Sequence, residues 1–204
     1  MTEPDPLAAA TAPPPPPADD APRLRGRTIA LVGLMGVGKT SVGKRLAAAL
    51  GLPFRDADEE IERAAGRSIS EIFADRGEAE FRAGERRVIA RLLDEAPHVL
   101  ATGGGAFAQA ETRALLKTRA ITVWLRADIA VLARRVARKD TRPLLSGKDP
   151  VAVLTQLAEA RYAAYGEADL VIDTGETSHL ATVELLISAL RRRLDLQAPP
   201  EDGE

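Results

Sequence analysis

Thr28-Ile29-Ala30-Leu31-Val32-Gly33-Leu34-Met35-Gly36-Val37-Gly38-Lys39-Thr40-Ser41 is the stretch that decides the fold. Thr28 to Val32 is a short apolar run stopped by glycine, the pattern of a strand buried on both faces. Gly33 to Thr40 satisfies GxxxxGK[ST], and a helical spacing of apolar residues follows from Lys39 to Leu50, closed by Gly51. A glycine-rich turn between strand and helix lets successive backbone N–H groups face one anion, and the helix N-terminus adds partial positive charge. The candidate ATP-binding residues are therefore Gly36, Val37, Gly38, Lys39, Thr40 and Ser41. Lys39 is placed to reach the outer phosphates, and the Thr40 hydroxyl to ligate Mg²⁺.

Outward from this loop, short apolar runs alternate with amphipathic helical stretches, which predicts parallel strands covered by helices. Strands are expected at 28–32, 53–56, 98–102, 120–125 and 169–173. Helices are expected at 39–50, 58–65, 70–75, 78–94, 110–118, 128–137, 150–165 and 178–194. Ser68 and Glu71 have capping-box spacing before the third helix. The fold class is thus α/β, a three-layer α/β/α arrangement on a five-stranded parallel sheet. In such sheets ligands bind beyond the carboxyl ends of the strands.

The 204 residues suit one domain, and their 45% hydrophobic and 28% charged content is that of a globular protein. A net charge of -2 excludes the basic footprint of a nucleic-acid binder. No run approaches the ~18 apolar residues of a membrane span. The chain has no cysteine, which excludes disulfides, thiolate metal sites and a cysteine nucleophile and suits a reducing, cytoplasmic setting. Residues 1–22 hold eight of the 14 prolines and are expected to be a disordered arm, as is the acidic tail 197–204. One P-loop domain, 23–196, remains, and it is expected to be monomeric.

The chain contains no Asn. That excludes a guanine-reading N-K-x-D motif and the protein-kinase catalytic loop, whose Asn holds a metal. Asp56-Ala57-Asp58 ends the second strand, where alternation points both carboxylates to one side. One suits the water shell of a metal and the other a proton from an attacking hydroxyl, although Asp58 is equally a candidate N-cap. Gly103-Gly104-Gly105 follows the third strand and lets backbone approach a ligand; a plain tight turn is the alternative. Arg82 and Arg161 lie on helices, where a single arginine is usually a solvated charge. Residues 138–149, with Arg142-Pro143-Leu144-Leu145, have the length and polarity of an active-site lid. His98, His179 and Trp124 read as structural.

Taken together, these motifs resemble the shikimate kinases, small P-loop enzymes of nucleoside-monophosphate-kinase-like fold. The resemblance runs from about Arg27 to Leu194 and includes Gly66 to Ile69 with Ile72-Phe73, and Gly77-Glu78 through Phe81-Arg82 to Glu85. It implies Mg²⁺-dependent transfer of the ATP γ-phosphoryl to the 3-hydroxyl of shikimate. It implies that Thr40 and, through water, Asp56 hold Mg²⁺, and that Asp58 binds substrate hydroxyls and acts as base. It implies that Arg82 and Arg161 grip the carboxylate beside Gly103, Gly104 and Gly105. Arg142 would reach the ATP phosphates and Arg135 would flank the adenine, while Phe73 and Phe81 would border the pocket. The loop 174–179 lacks the Arg and Pro that some members set against the adenine. Rival readings are another small-molecule kinase, such as a gluconate kinase, and a nucleotide-binding module without catalysis.

Overall fold

Five parallel strands run in the order β2-β3-β1-β4-β5. They are β1 (Thr28–Val32), β2 (Phe54–Asp56), β3 (Val99–Ala101), β4 (Ala120–Arg126) and β5 (Leu170–Asp173). The computed structural model describes residues 26–137, 149–175 and 177–195. The Pro-rich arm, the acidic tail and, but for Asp149, the expected lid with Arg142 fall outside the described residues.

The hydrophobic runs become strands where the sheet is covered. β1 and β3 are buried throughout and β4 up to its last residue, as befits central strands. The two edges are less covered: β2 is half-buried along its length, and Val171 of β5 is exposed. An edge strand lacks a neighbour on one side, so only part of its surface packs.

The helices are α1 (Lys39–Leu50), α2 (Ala57–Ala65), α3 (Ile69–Leu93), α4 (Ala110–Arg119), α5 (Ile129–Ala137), α6 (Pro150–Tyr165) and α7 (His179–Asp195). Their ends follow local chemistry. Gly51 and Gly66 close α1 and α2 in the left-handed conformation, and Asp149 caps α6 ahead of Pro150. The Ser68–Glu71 capping box is formed in both directions. The two expected helices on either side of Gly77 meet as one run broken at Gly77, whose φ of 75° and ψ of 175° are not helical. α1 packs against α7, whereas α3 packs against α4 and both touch the 3₁₀ turn Ala106–Ala108 that follows the glycines.

The topology sets the site. From β1 the chain crosses to the edge strand β2 and returns through β3, then passes over β1 to β4. The loops after β1 and β3 therefore leave adjacent strand ends, with the β2 end beside them. No helix among the described residues is long and apolar enough to cross a membrane.

Candidate active site

Gly33 leaves β1 at φ 137°, and a β-carbon there would stand 2.5 Å from the Leu125 carbonyl oxygen. Backbone alone fits between β1 and β4. Gly36 and Gly38 also have positive φ, and Gly38 caps α1 without a side-chain hydrogen bond. The first N–H groups of a twelve-residue helix are thereby presented to an anion. Lys39 Nζ donates to the carbonyls of Gly33 (2.8 Å) and Leu34 (3.1 Å), which holds the ammonium at the lip of the loop.

The end of β2 meets this loop. Thr40 Oγ1 donates to Asp56 Oδ2 at 2.8 Å, and Asp56 Oδ1 accepts from the Asp58 backbone N–H at 3.1 Å. Asp56, not Asp58, is therefore the N-cap of α2, and the alternative of a merely capping Asp58 does not hold. Asp58 lies inside the first helical turn, so strand alternation is not what aims it. Its carboxyl is raised above the ordinary range by burial first and by the neighbouring Asp56 charge, against the pull of Lys39. Hard oxygen donors, one hydroxyl and one carboxylate in contact before a helix N-terminus, fit an ion such as Mg²⁺ that keeps most of its waters. No cluster of three or more His, Cys, Asp or Glu suited to a metal occurs among the described residues, so a fully protein-bound cation is not offered there.

The three glycines after β3 are explained by what surrounds them. A β-carbon on Gly103 would stand 2.7 Å from Glu85 Oε1 and 2.8 Å from Asp58 Oδ1. One on Gly105 would stand 2.3 Å from Arg82 Nη2. Both positions exclude any side chain while these groups converge. Gly104 has ordinary room, 3.6 Å from the Met35 nitrogen, and its carbonyl accepts from Arg161 Nη1 at 3.0 Å and from the Tyr165 hydroxyl.

Arg82 and Arg161 thus meet at one loop although 79 positions apart in the chain. Arg82 donates to Glu85 Oε2 at 2.7 Å and lies 5.1 Å from the Phe81 ring, which stacks on Phe73 at 4.3 Å. The Glu85 side chain is 1% exposed, and its Oε1 has no hydrogen-bond partner. Burial pushes its carboxyl up, countered by Arg82. Glu85 was not singled out from sequence as a site residue; its signals were its place in the motif of the resemblance and its position three residues after Arg82 on a helix. A cavity of about 760 Å³ opens beside Arg82 and Thr112. A second, of about 460 Å³ between α2 and α3, lies apart from the phosphate loop, and its rim arginines Arg67, Arg76 and Arg91 are matched by Asp75, Glu80 and Glu60.

Arg135 donates to the Gly175 carbonyl at 2.7 Å, joining α5 to the loop after β5. His179, read as merely structural, starts α7 with its imidazole 3.4 Å from where a Gly38 β-carbon would be. Burial, then Arg45 and Arg135, lowers its pKa, which favours the neutral ring. His98 and Trp124 are buried as expected. Ser41 directly follows Thr40 in the first turn of α1.

Known proteins resemble this chain over most of its length. The family model for shikimate kinase matches residues 35–191. A shikimate kinase of Caulobacter vibrioides is 69% identical over 175 residues, 86% of this chain and 88% of that one. One of Paramagnetospirillum magneticum is 54% identical over 84% of this chain and 88% of its own. Among solved structures, a shikimate kinase from Acinetobacter baumannii in complex with shikimate superposes with a TM-score of 0.80 at 37% identity, covering 85% of this chain and 98% of that one. A gluconokinase from Sinorhizobium meliloti, at 20% identity and a TM-score of 0.59, shares the fold.

Proposed function

The chain belongs to the shikimate kinase family, and from that premise we propose how its cleft divides the work of moving the ATP γ-phosphoryl to the 3-hydroxyl of shikimate. The enzyme is an ATP-dependent small-molecule phosphotransferase. The observation that supports the choice of acceptor is the convergence of Asp58, Arg82 and Arg161 on Gly103 to Gly105, beside the phosphate loop.

The loop 33–40 and the N-terminus of α1 receive the phosphates, and Lys39 follows the charge on the transferred group. Thr40 and, through water, Asp56 would hold Mg²⁺, which when bound neutralises phosphate charge. Asp58 hydrogen-bonds the acceptor hydroxyl and takes its proton; a carboxyl raised by burial is a better base near neutral pH than an ordinary aspartate. Arg82 and Arg161 take the acceptor carboxylate, for which planar guanidinium forks are suited. The Gly104 backbone lies against the same ligand. Arg135, already fixed on the loop after β5, flanks the adenine, and Arg142 reaches the ATP phosphates, as the resemblance implies.

Arg82→Ala and Arg161→Ala test the clamp. Each is expected to raise the KM for shikimate about tenfold or more, the worth of a charged hydrogen bond, while calorimetric ATP affinity stays near that of the parent. An unchanged KM for shikimate in both variants would remove the clamp from the mechanism.

A further inference from the structure

The two guanidinium groups at the triple glycine are held in different ways. Arg82 is paired with the buried Glu85 carboxylate and also reaches Glu78 at 3.3 Å, so its charge is largely matched inside the protein. Arg161 has no carboxylate within ion-pair distance among the described residues. It donates to a neutral partner, the Gly104 carbonyl at 3.0 Å, and the neutral phenol of Tyr165 lies one helical turn further along α6. Tyr165 is 0% exposed, and its hydroxyl donates to the same Gly104 carbonyl. Burial pushes the phenol up to about 12, so it stays protonated and remains a donor throughout the working range.

We propose that Tyr165 is a positioning residue for the acceptor's carboxylate, acting through Arg161 and the Gly104 carbonyl. This deepens the clamp assigned above and rests on Arg161 being part of it. The phenol hydroxyl and the Arg161 guanidinium both donate to the Gly104 carbonyl oxygen, one to each of its lone pairs. Three groups are thus held together at one carbonyl oxygen. Because two of them are neutral, the guanidinium is oriented without its charge being cancelled, and that charge is what an incoming carboxylate meets in a partly desolvated cleft. An ionised acidic residue in place of Tyr165 could not donate to Gly104 and would compete with the ligand for Arg161. The aromatic ring has a separate task, packing 5.7 Å from Trp124 and 6.3 Å from Tyr162. Tyr165→Phe therefore removes the hydroxyl and leaves the packing.

Steady-state kinetics and calorimetric shikimate binding on the full chain test this with Tyr165→Phe, Arg161→Lys and the double variant. Tyr165→Phe is expected to raise the KM and Kd for shikimate about two- to tenfold, the worth of one neutral hydrogen bond, with a smaller change in the KM for ATP. In the Arg161→Lys background the same substitution is expected to add little, because the group it orients is gone. A merely structural hydroxyl would weaken both substrates alike, or add its full factor in both backgrounds, and either result overturns the proposal. So does a parental KM for shikimate in Tyr165→Phe when Arg161→Lys raises it. If Arg161→Lys itself leaves shikimate binding unchanged, the clamp assignment fails first and Tyr165 loses its role with it.

Discussion

Asp58 and Glu85 both direct an oxygen to Gly103, and burial raises both carboxyls. A folded-state pKa above the unfolded value means that the native state binds the proton more tightly, so above the folded pKa the ionised group works against folding. Asp58→Asn should accordingly melt at a higher temperature than the parent near neutral pH, yet lose turnover about a hundredfold or more while still binding ATP. Single-turnover rates and thermal melts read both; near-parental turnover would remove the base from Asp58. The acid limb of kcat/KM for shikimate should also lie above the ordinary aspartate range, since activity needs the ionised form. At this scale the phosphate loop and Asp56-Ala57-Asp58 were legible because their chemistry is local in sequence. Arg82 and Arg161 were legible only as members of a motif set, since an arginine on a helix is commonplace. Glu85 and Tyr165 were missed as site residues, because what distinguishes them is burial against groups far away along the chain.

At the scale of elements, α3 carries Arg82 and Glu85 on the segment after its break, so Gly77 aims the clamp. Its φ of 75° and ψ of 175° fall in a region open essentially to glycine, and nothing lies within 4 Å of an added β-carbon. Gly77→Ala should therefore lose about 1–3 kcal/mol of stability through backbone strain alone. Urea unfolding checks this, and an unchanged midpoint would show that the break costs an alanine nothing. The helix stop at Gly77 was legible from sequence, as were both glycine closures and the Ser68–Glu71 box, because caps are short-range chemistry. Which strands lie at the edges was not legible, because strand order is a long-range property. The expected ends at His98 and Thr102 lie one residue beyond β3, although Ile29 N–H still donates to the His98 carbonyl and Thr102 N–H to that of Leu31.

Across the whole molecule, the crossing order brings three strand ends together at one edge, to which we assign different duties: a phosphate cradle after β1, base and metal-facing carboxylate at the end of β2, and an acceptor clamp after β3. Arg161 and Tyr165 join them from α6, far along the chain. The same sheet order serves other small-molecule kinases, as the likeness to a gluconokinase shows, so fold alone does not choose the acceptor. The choice rests on the clamp and on family membership. ADP release by the purified chain with ATP and Mg²⁺, offered shikimate or gluconate in parallel, tests it most directly. Saturable turnover with shikimate and little with gluconate is the expected result; equal or preferred use of gluconate, or no acceptor-dependent ADP release at all, would contradict it.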